Sequence, residues 1–182
     1  MKAFIFMANG FEEVEALAPI DLLRRAGVEV SLVGVNGKTA VGARGVSVAC
    51  DKEISEVLNE VPDMVILPGG NPGYINLGES NEVKLITEAT YKAGKLVAAI
   101  CGAPTVLSGY GILKGKTACV YPGLEKELDC EKVSFDPVCR FENVITSRGM
   151  GTSVEFALEL VRALEGPEKA ALIAKQVVFC AY

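Results

Sequence analysis

The sequence predicts an α/β fold, a three-layer α/β/α sandwich in which helices cover both faces of a mostly parallel central sheet. Two observations lead to this prediction. Short apolar runs alternate with helical patterns along the chain. Several of these runs are apolar at consecutive positions rather than at every second one, which is typical of strands buried on both faces of a parallel sheet.

The predicted strands are short runs rich in aliphatic and aromatic residues. They are Ala3–Met7, Val28–Val35, Met64–Leu67, Leu96–Ile100 and Val144–Thr146. Two further runs within Thr39–Cys50 flank Gly42-Ala43-Arg44-Gly45 and predict a hairpin or an edge pair. In open sheets of this type ligands bind at the carboxyl ends of the strands, so the segments after these strands are candidate functional loops.

Apolar residues at helical spacing predict four helices between and after these strands. The helices are expected at Glu12–Ala26, at Asn81–Ala93, from a capping box at Thr152-Ser153-Val154-Glu155 to Gly166-Pro167, and at Glu168–Val178. The first two are each followed by a glycine, which is a common helix C-terminal signal.

Length and composition narrow the class of protein. The 182 residues are expected to form a single domain spanning 1–182. The 18 basic and 23 acidic residues give a net charge of -5, and no basic cluster exceeds Arg24-Arg25, so nucleic acid is not an expected partner. The apolar runs are far shorter than the roughly 20 residues that span a bilayer, and no secretion signal is recognisable. We therefore expect a cytoplasmic protein that does not bind membranes.

Cysteine and histidine usage restricts the chemistry. The six cysteines include no C-x-x-C pair, so we expect reduced thiols and no metal site. The chain contains no histidine, which excludes the Ser-His-Asp triad, the Cys-His dyad and His-containing zinc sites. Acid–base chemistry near neutral pH must then use a shifted carboxylate, a thiol, a tyrosine or a lysine.

The most informative stretch surrounds Cys101. The strand Leu96–Ile100 runs directly into Cys101, Gly102 follows, and Pro104 can begin a helix. This predicts a sharp strand-to-helix turn similar to a nucleophile elbow, although the G-x-S-x-G motif is absent. We expect the helix end and nearby N–H groups to lower the pKa of the Cys101 thiol. The alternative is a buried cysteine that acts as a small core residue.

A glycine-rich segment and an acidic segment are expected at the same end of the sheet. Gly69-Gly70-Asn71 follows the strand Met64–Leu67, and the N–H groups of Gly70 and Gly102 can form an oxyanion hole. The alternative for this segment is a tight glycine turn. In the first helix, Glu15 is a candidate proton carrier with a raised pKa, provided that it is half-buried.

Three other charged residues near these loops have simpler interpretations. Glu12 and Glu13 are expected to be solvated partners of the helix dipole. Arg148 lies in the loop Thr146–Thr152, where it can bind a carboxylate or tie loops together.

Taken together, these segments resemble the ThiJ/PfpI family, and within it the branch of Parkinsonism-associated protein deglycases and bacterial YajL-like proteins. The matching pieces, in the family's order and spacing, are Glu12–Glu15, Asp21–Gly27, Leu67–Gly70, Ala98–Pro104 and Thr146–Thr152. The resemblance implies a flavodoxin-like sandwich of the class I glutamine amidotransferase type, and a homodimer.

The resemblance also implies roles for individual residues. Cys101 would be the family's elbow cysteine, and Glu15 the carboxyl group hydrogen-bonded to its sulfur. Gly70 and Gly102 would fall at the family's oxyanion position. Arg44 matches a family arginine near the dimer contact and the site entrance.

The chain departs from the family pattern at one position of the site. Many members carry a His-Pro pair near the cysteine, whereas the corresponding pair here is Tyr121-Pro122. The peptidase-like branch needs a histidine directly after its cysteine, and Gly102 occupies that place, so a protease is not expected. Asn71, Arg44, Tyr121 and Arg148 are the candidate substrate-binding residues.

Two functional hypotheses follow. The first is a weak, cofactor-free glyoxalase or protein deglycase that acts on methylglyoxal or glyoxal-derived adducts, with Cys101 as nucleophile and Glu15 as proton carrier. The alternative is an oxidative-stress sensor or redox-regulated chaperone, in which peroxide oxidises Cys101 to a sulfinate stabilised by protonated Glu15. Both hypotheses use the same two side chains, so the sequence does not separate them.

Overall fold

A computed structural model describes residues 1–180 of the chain and contains three layers. In this part of the chain the strands are β1 (Lys2–Met7), β2 (Glu29–Gly34), β3 (Thr39–Val41), β4 (Ser47–Ala49), β5 (Lys52–Glu53), β6 (Met64–Leu67), β7 (Leu96–Ile100), β8 (Thr117–Ala118), β9 (Lys132–Val133), β10 (Val138–Phe141) and β11 (Val144–Ser147). The helices are α1 (Glu13–Arg25), α2 (Gly73–Glu79), α3 (Asn81–Lys92), α4 (Pro104–Gly109), α5 (Ser153–Glu165) and α6 (Pro167–Gln176).

The main sheet has the strand order β10-β11-β7-β6-β1-β2-β5. Every neighbouring pair in it is parallel except β10–β11, which is antiparallel. Successive residues of β1 face opposite sides: Ile5 enters the core under α1, α5 and α6, whereas Phe4 and Phe6 enter the core under α3 and α4. The predicted mostly parallel sandwich is therefore confirmed, because a strand between two helical layers must be apolar on both sides.

The predicted elements are largely confirmed, with ends that shift by one or two residues. All five predicted strands and all four predicted helices are present, and the 39–50 segment forms the β3–β4 hairpin. Several elements were not predicted: α2, the edge strand β10, and the two-residue strands β5, β8 and β9. The sequence of α2, GYINLGE, contains two glycines and has low intrinsic helix propensity. Its helix is stabilised by burial of Leu77 rather than by local preference.

The predicted capping box before α5 is wrong. A short 3₁₀ turn, Met150–Thr152, precedes the helix, and the Thr152 hydroxyl donates to the carbonyl oxygen of Gly149 at 2.8 Å. It also accepts the Gly149 N–H at 3.2 Å, so it does not cap the first turn of α5. The hydroxyl bonds locally to the turn instead of the helix, which is a common competition for threonine.

The carboxyl ends of β1, β6, β7 and β11 meet at one edge of the sheet, where backbone bonds join their loops. The Glu12 N–H donates to the carbonyl of Gly69 at 2.9 Å. The Cys101 N–H donates to the carbonyl of Ser147 at 3.0 Å. The segments that the sequence singled out are thereby brought together in space. Within residues 1–180, none of the helices has the length and apolar character needed to cross a bilayer.

Candidate active site

Cys101 lies at the sharp turn between β7 and α4. Its φ of 66° is in the left-handed region, which is uncommon for a residue other than glycine. The turn is held from both sides, because the Cys101 N–H binds Ser147 and the Cys101 carbonyl accepts the Tyr121 N–H at 2.9 Å. The predicted strand-to-helix elbow is confirmed, and it orients a half-buried thiol at the edge of the sheet.

Two glycines after β6 allow close approach to this thiol. A Cβ at Gly69 would lie 2.5 Å from the Cβ of Cys101 and 2.5 Å from Oε2 of Glu15, so no side chain fits there. Gly70 has a φ of 93°, a conformation that glycine adopts readily. The Gly70 and Gly102 amides lie close enough to the sulfur of Cys101 to lower the pKa of its thiol. The two amides proposed for an oxyanion hole therefore converge on the candidate nucleophile.

Glu15 is buried in the first turn of α1, with 1% of its surface exposed. Its Oε2 accepts the Gly69 N–H at 3.0 Å, and the carboxyl group lies beside the Cys101 side chain. Within the described residues its Oε1 has no hydrogen-bond partner. A buried oxygen without a partner, beside a thiol, is placed to accept or donate a proton during a reaction.

The protonation of this pair differs in part from the expectation. Burial, reinforced by the neighbouring Glu12, raises the pKa of Glu15 from 4.5 to about 7, as expected for a proton carrier. The expected low pKa of Cys101 is wrong: burial first, and then the charge of Glu15, raise the pKa of the thiol to about 12. The Gly70 and Gly102 amides act in the opposite direction but do not offset the loss of water. The Cys101 thiol is therefore protonated at neutral pH, and it lies beside a carboxyl group that can exchange a proton at that pH.

The two acids that precede Glu15 have structural roles. Glu12 caps α1, because its Oε2 accepts the Glu15 N–H at 2.8 Å. Glu13 is buried rather than solvated, so the expectation for it is wrong. Its Oε1 accepts the N–H of Arg44 at 2.7 Å, and a Cβ at Gly42 would clash with its carboxyl group. Glu13 therefore fastens the β3–β4 hairpin to α1.

The four candidate substrate-binding residues are placed differently. Tyr121 is half-exposed, and its ring passes 3.3 Å from the position that a Cβ would take on Gly149. Asn71 is exposed in the loop that carries Gly70. Arg44 is exposed on the hairpin and bonds the carbonyl of Ala43.

Arg148 contacts the neighbouring loop. Its guanidinium donates to the carbonyl of Phe135 at 3.3 Å and lies 5.9 Å from the centre of the Phe135 ring. These contacts tie the loop that carries Arg148 to the loop that carries Phe135, which is the second of the two roles expected for this arginine.

Sequence reasoning missed two residues of the site. Gly149 leaves room for the Tyr121 ring, and the position of its absent Cβ is 4.0 Å from Oε1 of Glu15. Tyr74, in α2, packs its ring against Gly102. The only signal for Tyr74 was its place shortly after the glycine-rich segment, and α2 itself was not predicted. In the part of the chain that the structure describes, no group of His, Cys, Asp or Glu could hold a metal ion.

The raised pKa of Glu15 predicts a pH-dependent stability. A pKa raised from 4.5 to about 7 on folding gives stability that is complete below 4.5 and is lost as the pH rises through 7. Between pH 4.5 and 8, we expect the free energy of unfolding of the wild type to fall by about 3 kcal/mol more than that of Glu15→Gln. Urea titrations at several pH values measure the difference. Parallel curves for the two proteins would contradict a raised pKa, and Glu131→Gln, an exposed site, serves as the matched control.

Comparison with known proteins agrees with this geometry. A profile described as the DJ-1/PfpI family matches residues 1–163. Protein dj-1beta of Drosophila melanogaster is 40% identical over 177 residues, which cover 96% of this chain and 95% of the fly protein. The glutathione-independent glyoxalase DJR-1.2 of Caenorhabditis elegans is 37% identical over 159 residues, which cover 87% of this chain and 85% of the worm protein.

Solved structures give the same result. The structure of oxidized DJ-1 from Toxoplasma gondii matches this fold with a TM-score of 0.96 and 36% sequence identity, and the match covers 99% of both chains. The family profile and the relatives each cover most of the chain, and the flavodoxin-like fold inferred from the resemblance is confirmed. The chain belongs to the DJ-1/PfpI family.

Proposed function

We propose that this protein is a cofactor-free glyoxalase and protein deglycase, with Cys101 as nucleophile and Glu15 as proton carrier. The observation that carries the proposal is the contact between the Cys101 thiol and a buried carboxyl group whose pKa is about 7. A base is most effective when its pKa lies near the working pH. The similarity to a worm protein named as a glutathione-independent glyoxalase supports the same chemistry.

Attack on the aldehyde is the first step. The sulfur of Cys101 forms a bond to the aldehyde carbon of methylglyoxal while the thiol proton passes to the carboxylate of Glu15. The carbonyl π electrons move to the aldehyde oxygen, and the N–H groups of Gly70 and Gly102 stabilise the resulting oxyanion. Glu15 then returns the proton to this oxygen, which gives a neutral hemithioacetal and a free carboxylate.

Proton transfer between the two carbons follows. The Glu15 carboxylate removes the hydrogen on the former aldehyde carbon, and an enediolate forms across the two carbons. Glu15 returns this proton to the second carbon, and the hydroxyl proton of the first carbon moves to the second oxygen, which leaves a thioester. Water hydrolyses the thioester, so lactate leaves and the Cys101 thiol is restored. Glyoxal-derived adducts on amines or thiols present an equivalent carbon to the same groups.

The loss of lactate production in a cysteine variant tests this proposal. We expect the purified wild type to convert methylglyoxal to lactate, and Cys101→Ser to lower the rate by at least about 100-fold because the nucleophile is removed. The rate of the wild type should rise with pH through about 7 as Glu15 ionises. Enzymatic quantification of lactate measures both effects.

The matched control for this experiment is Cys180→Ser, which changes an exposed thiol and should leave the rate unchanged. The glyoxalase proposal fails if the wild type produces no lactate. The mechanism fails at the proton carrier if Glu15→Gln retains the wild-type rate.

A second candidate function, a peroxide sensor, rests on the same buried carboxyl group. Peroxide oxidises the Cys101 thiol to a sulfenic acid and water, and a second peroxide oxidises it to a sulfinic acid. Below its pKa of about 7, Glu15 carries a proton that it can donate to a sulfinate oxygen. The partnerless Oε1 of Glu15 supports this function, because the added oxygen would supply a partner.

Stepwise oxidation tests the sensor function. We expect the wild type to stop at the sulfinate, and Glu15→Gln to reach the sulfonate at about tenfold lower peroxide, because an amide N–H donates a weaker hydrogen bond than a carboxylic O–H. Mass spectrometry of the peptide that contains Cys101 measures the products. A sulfinate that is equally stable in both proteins would exclude Glu15 as its stabiliser.

The proposal includes a homodimer through the start of α1. Exposed apolar side chains on α1, on the hairpin that Glu13 fastens to it and in the turn before α5 belong to Val14, Leu17, Val41, Val46 and Met150. Glu13, which joins α1 to the hairpin, has a buried Oε2 without a partner in residues 1–180. A second copy of the same face would cover the apolar side chains, as expected for an interface with two-fold symmetry.

A charge placed in this patch tests the dimer. We expect the wild type to have the mass of two chains, and Leu17→Arg to have the mass of one, 19.2 kDa, because a buried unpaired charge is unfavourable at an interface. Size-exclusion chromatography with light scattering measures the masses. Leu85→Arg, at an exposed leucine of α3, is the matched control and should remain dimeric. A monomeric wild type would contradict the dimer.

A further inference from the structure

Tyr74 touches both backbone segments that point N–H groups at Cys101. Its own N–H donates to the carbonyl oxygen of Gly70 at 2.9 Å. Its ring lies against Gly102, where a Cβ would be 2.7 Å from Cδ1, 2.8 Å from Cε1 and 3.0 Å from Cγ. These ring atoms, rather than the hydroxyl, form the contact with Gly102.

We propose that Tyr74 is a positioning residue that sets the separation of the Gly70 and Gly102 amides around the sulfur of Cys101. Gly70 and Gly102 belong to different loops, one after β6 and one after β7, and the hydrogen-bonded pairing of these strands ends at Leu67 and Ala99, before either glycine. Tyr74 follows the first loop and its ring contacts the second. Its effect on turnover rests on the proposed glyoxalase function, whereas its effect on the thiol does not.

The packing explains why the ring matters. Protein interiors are close-packed, so a ring in contact with a backbone atom limits the movement of that atom. Removing the ring leaves space beside Gly102, and the amide can shift by a fraction of an ångström. A hydrogen bond to a thiolate or an oxyanion depends steeply on such shifts. Displacements of about 1 Å in an active site lower rates by up to about 100-fold.

The same contact restricts which residue can occupy position 102. A methyl group on Gly102 would overlap the Tyr74 ring, so glycine is required there as long as the ring is present. Removal of the ring should therefore make room for alanine at 102. The two positions are expected to be energetically coupled, which a double-mutant cycle measures.

A purely structural role for Tyr74 predicts a different result for the thiol. The ring also packs against the core beneath α3 and α4, so its removal could simply loosen the site. Loosening would expose the half-buried thiol further and make Cys101 react faster with alkylating agents. Loss of correctly placed N–H donors would instead destabilise the thiolate and make Cys101 react more slowly. The two roles therefore predict opposite changes in the alkylation rate of Cys101.

The test compares Tyr74→Ala, Tyr74→Phe, Gly102→Ala and the double variant Tyr74→Ala/Gly102→Ala. Iodoacetamide alkylation at pH 7.5 forms a carbon–sulfur bond at Cys101 and releases iodide and a proton, and mass spectrometry of the Cys101 peptide follows it. We expect Tyr74→Ala to react about fivefold more slowly and Tyr74→Phe within about twofold of the wild type. In methylglyoxal turnover, Tyr74→Ala should lower kcat about tenfold with KM within about twofold.

The double variant and a control complete the experiment. Gly102→Ala should lower both the alkylation rate of Cys101 and the turnover of methylglyoxal. Adding Tyr74→Ala should raise both rates at least about threefold relative to Gly102→Ala alone. Tyr110→Ala removes another tyrosine ring of the same core, one whose hydroxyl bonds Leu77, and should leave the alkylation rate unchanged.

The outcomes separate the two proposals. Alkylation of Tyr74→Ala at or above the wild-type rate, or no recovery in the double variant, overturns the positioning role even when lactate is formed. If no protein forms lactate, the glyoxalase proposal fails. The alkylation rates and their recovery in the double variant then decide the role of Tyr74 alone.

Discussion

The burial of one carboxyl group against one thiol is the constraint on which the rest of the site depends. Glu15 can stay at the edge of the sheet, almost without exposure, because the Gly69 N–H donates to it and the Cys101 side chain lies beside it. The same burial raises the pKa of both groups, so the pair holds its protons more tightly than either residue would in water. In the proposed mechanism, reactivity belongs to the pair, since the thiol becomes a nucleophile as Glu15 accepts its proton.

Close approach of backbone segments makes this arrangement possible. A side chain at Gly69 would collide with both members of the pair, and one at Gly102 would collide with the ring of Tyr74. The absence of a Cβ at these positions lets two N–H groups reach the sulfur. The glycines are therefore needed because they have no side chain. Without a Cβ, the backbone can come close to the Cys101 sulfur and the Glu15 carboxyl group.

The missing histidine is consistent with this chemistry. Tyr121 takes the place that the family resemblance assigns to a histidine in many members, and its half-exposed ring borders Gly149 on the side of Glu15 Oε1. Its backbone N–H still holds the carbonyl of Cys101, so the segment keeps its structural function. Since a carboxyl group with a pKa of about 7 can exchange protons at neutral pH, the site has an acid–base group without imidazole.

The sequence by itself determined the sandwich, its five central strands and the elbow at Cys101, because buried parallel strands are apolar on both faces and turns need glycine. It also indicated Glu15, Gly70 and Gly102 through their places after the strands and the family resemblance. Only the tertiary structure decided the raised pKa of Cys101, the burial of Glu13 and the contact of Tyr74 with Gly102. These properties depend on how much water and which atoms surround a group, and such surroundings are assembled from segments far apart in the chain.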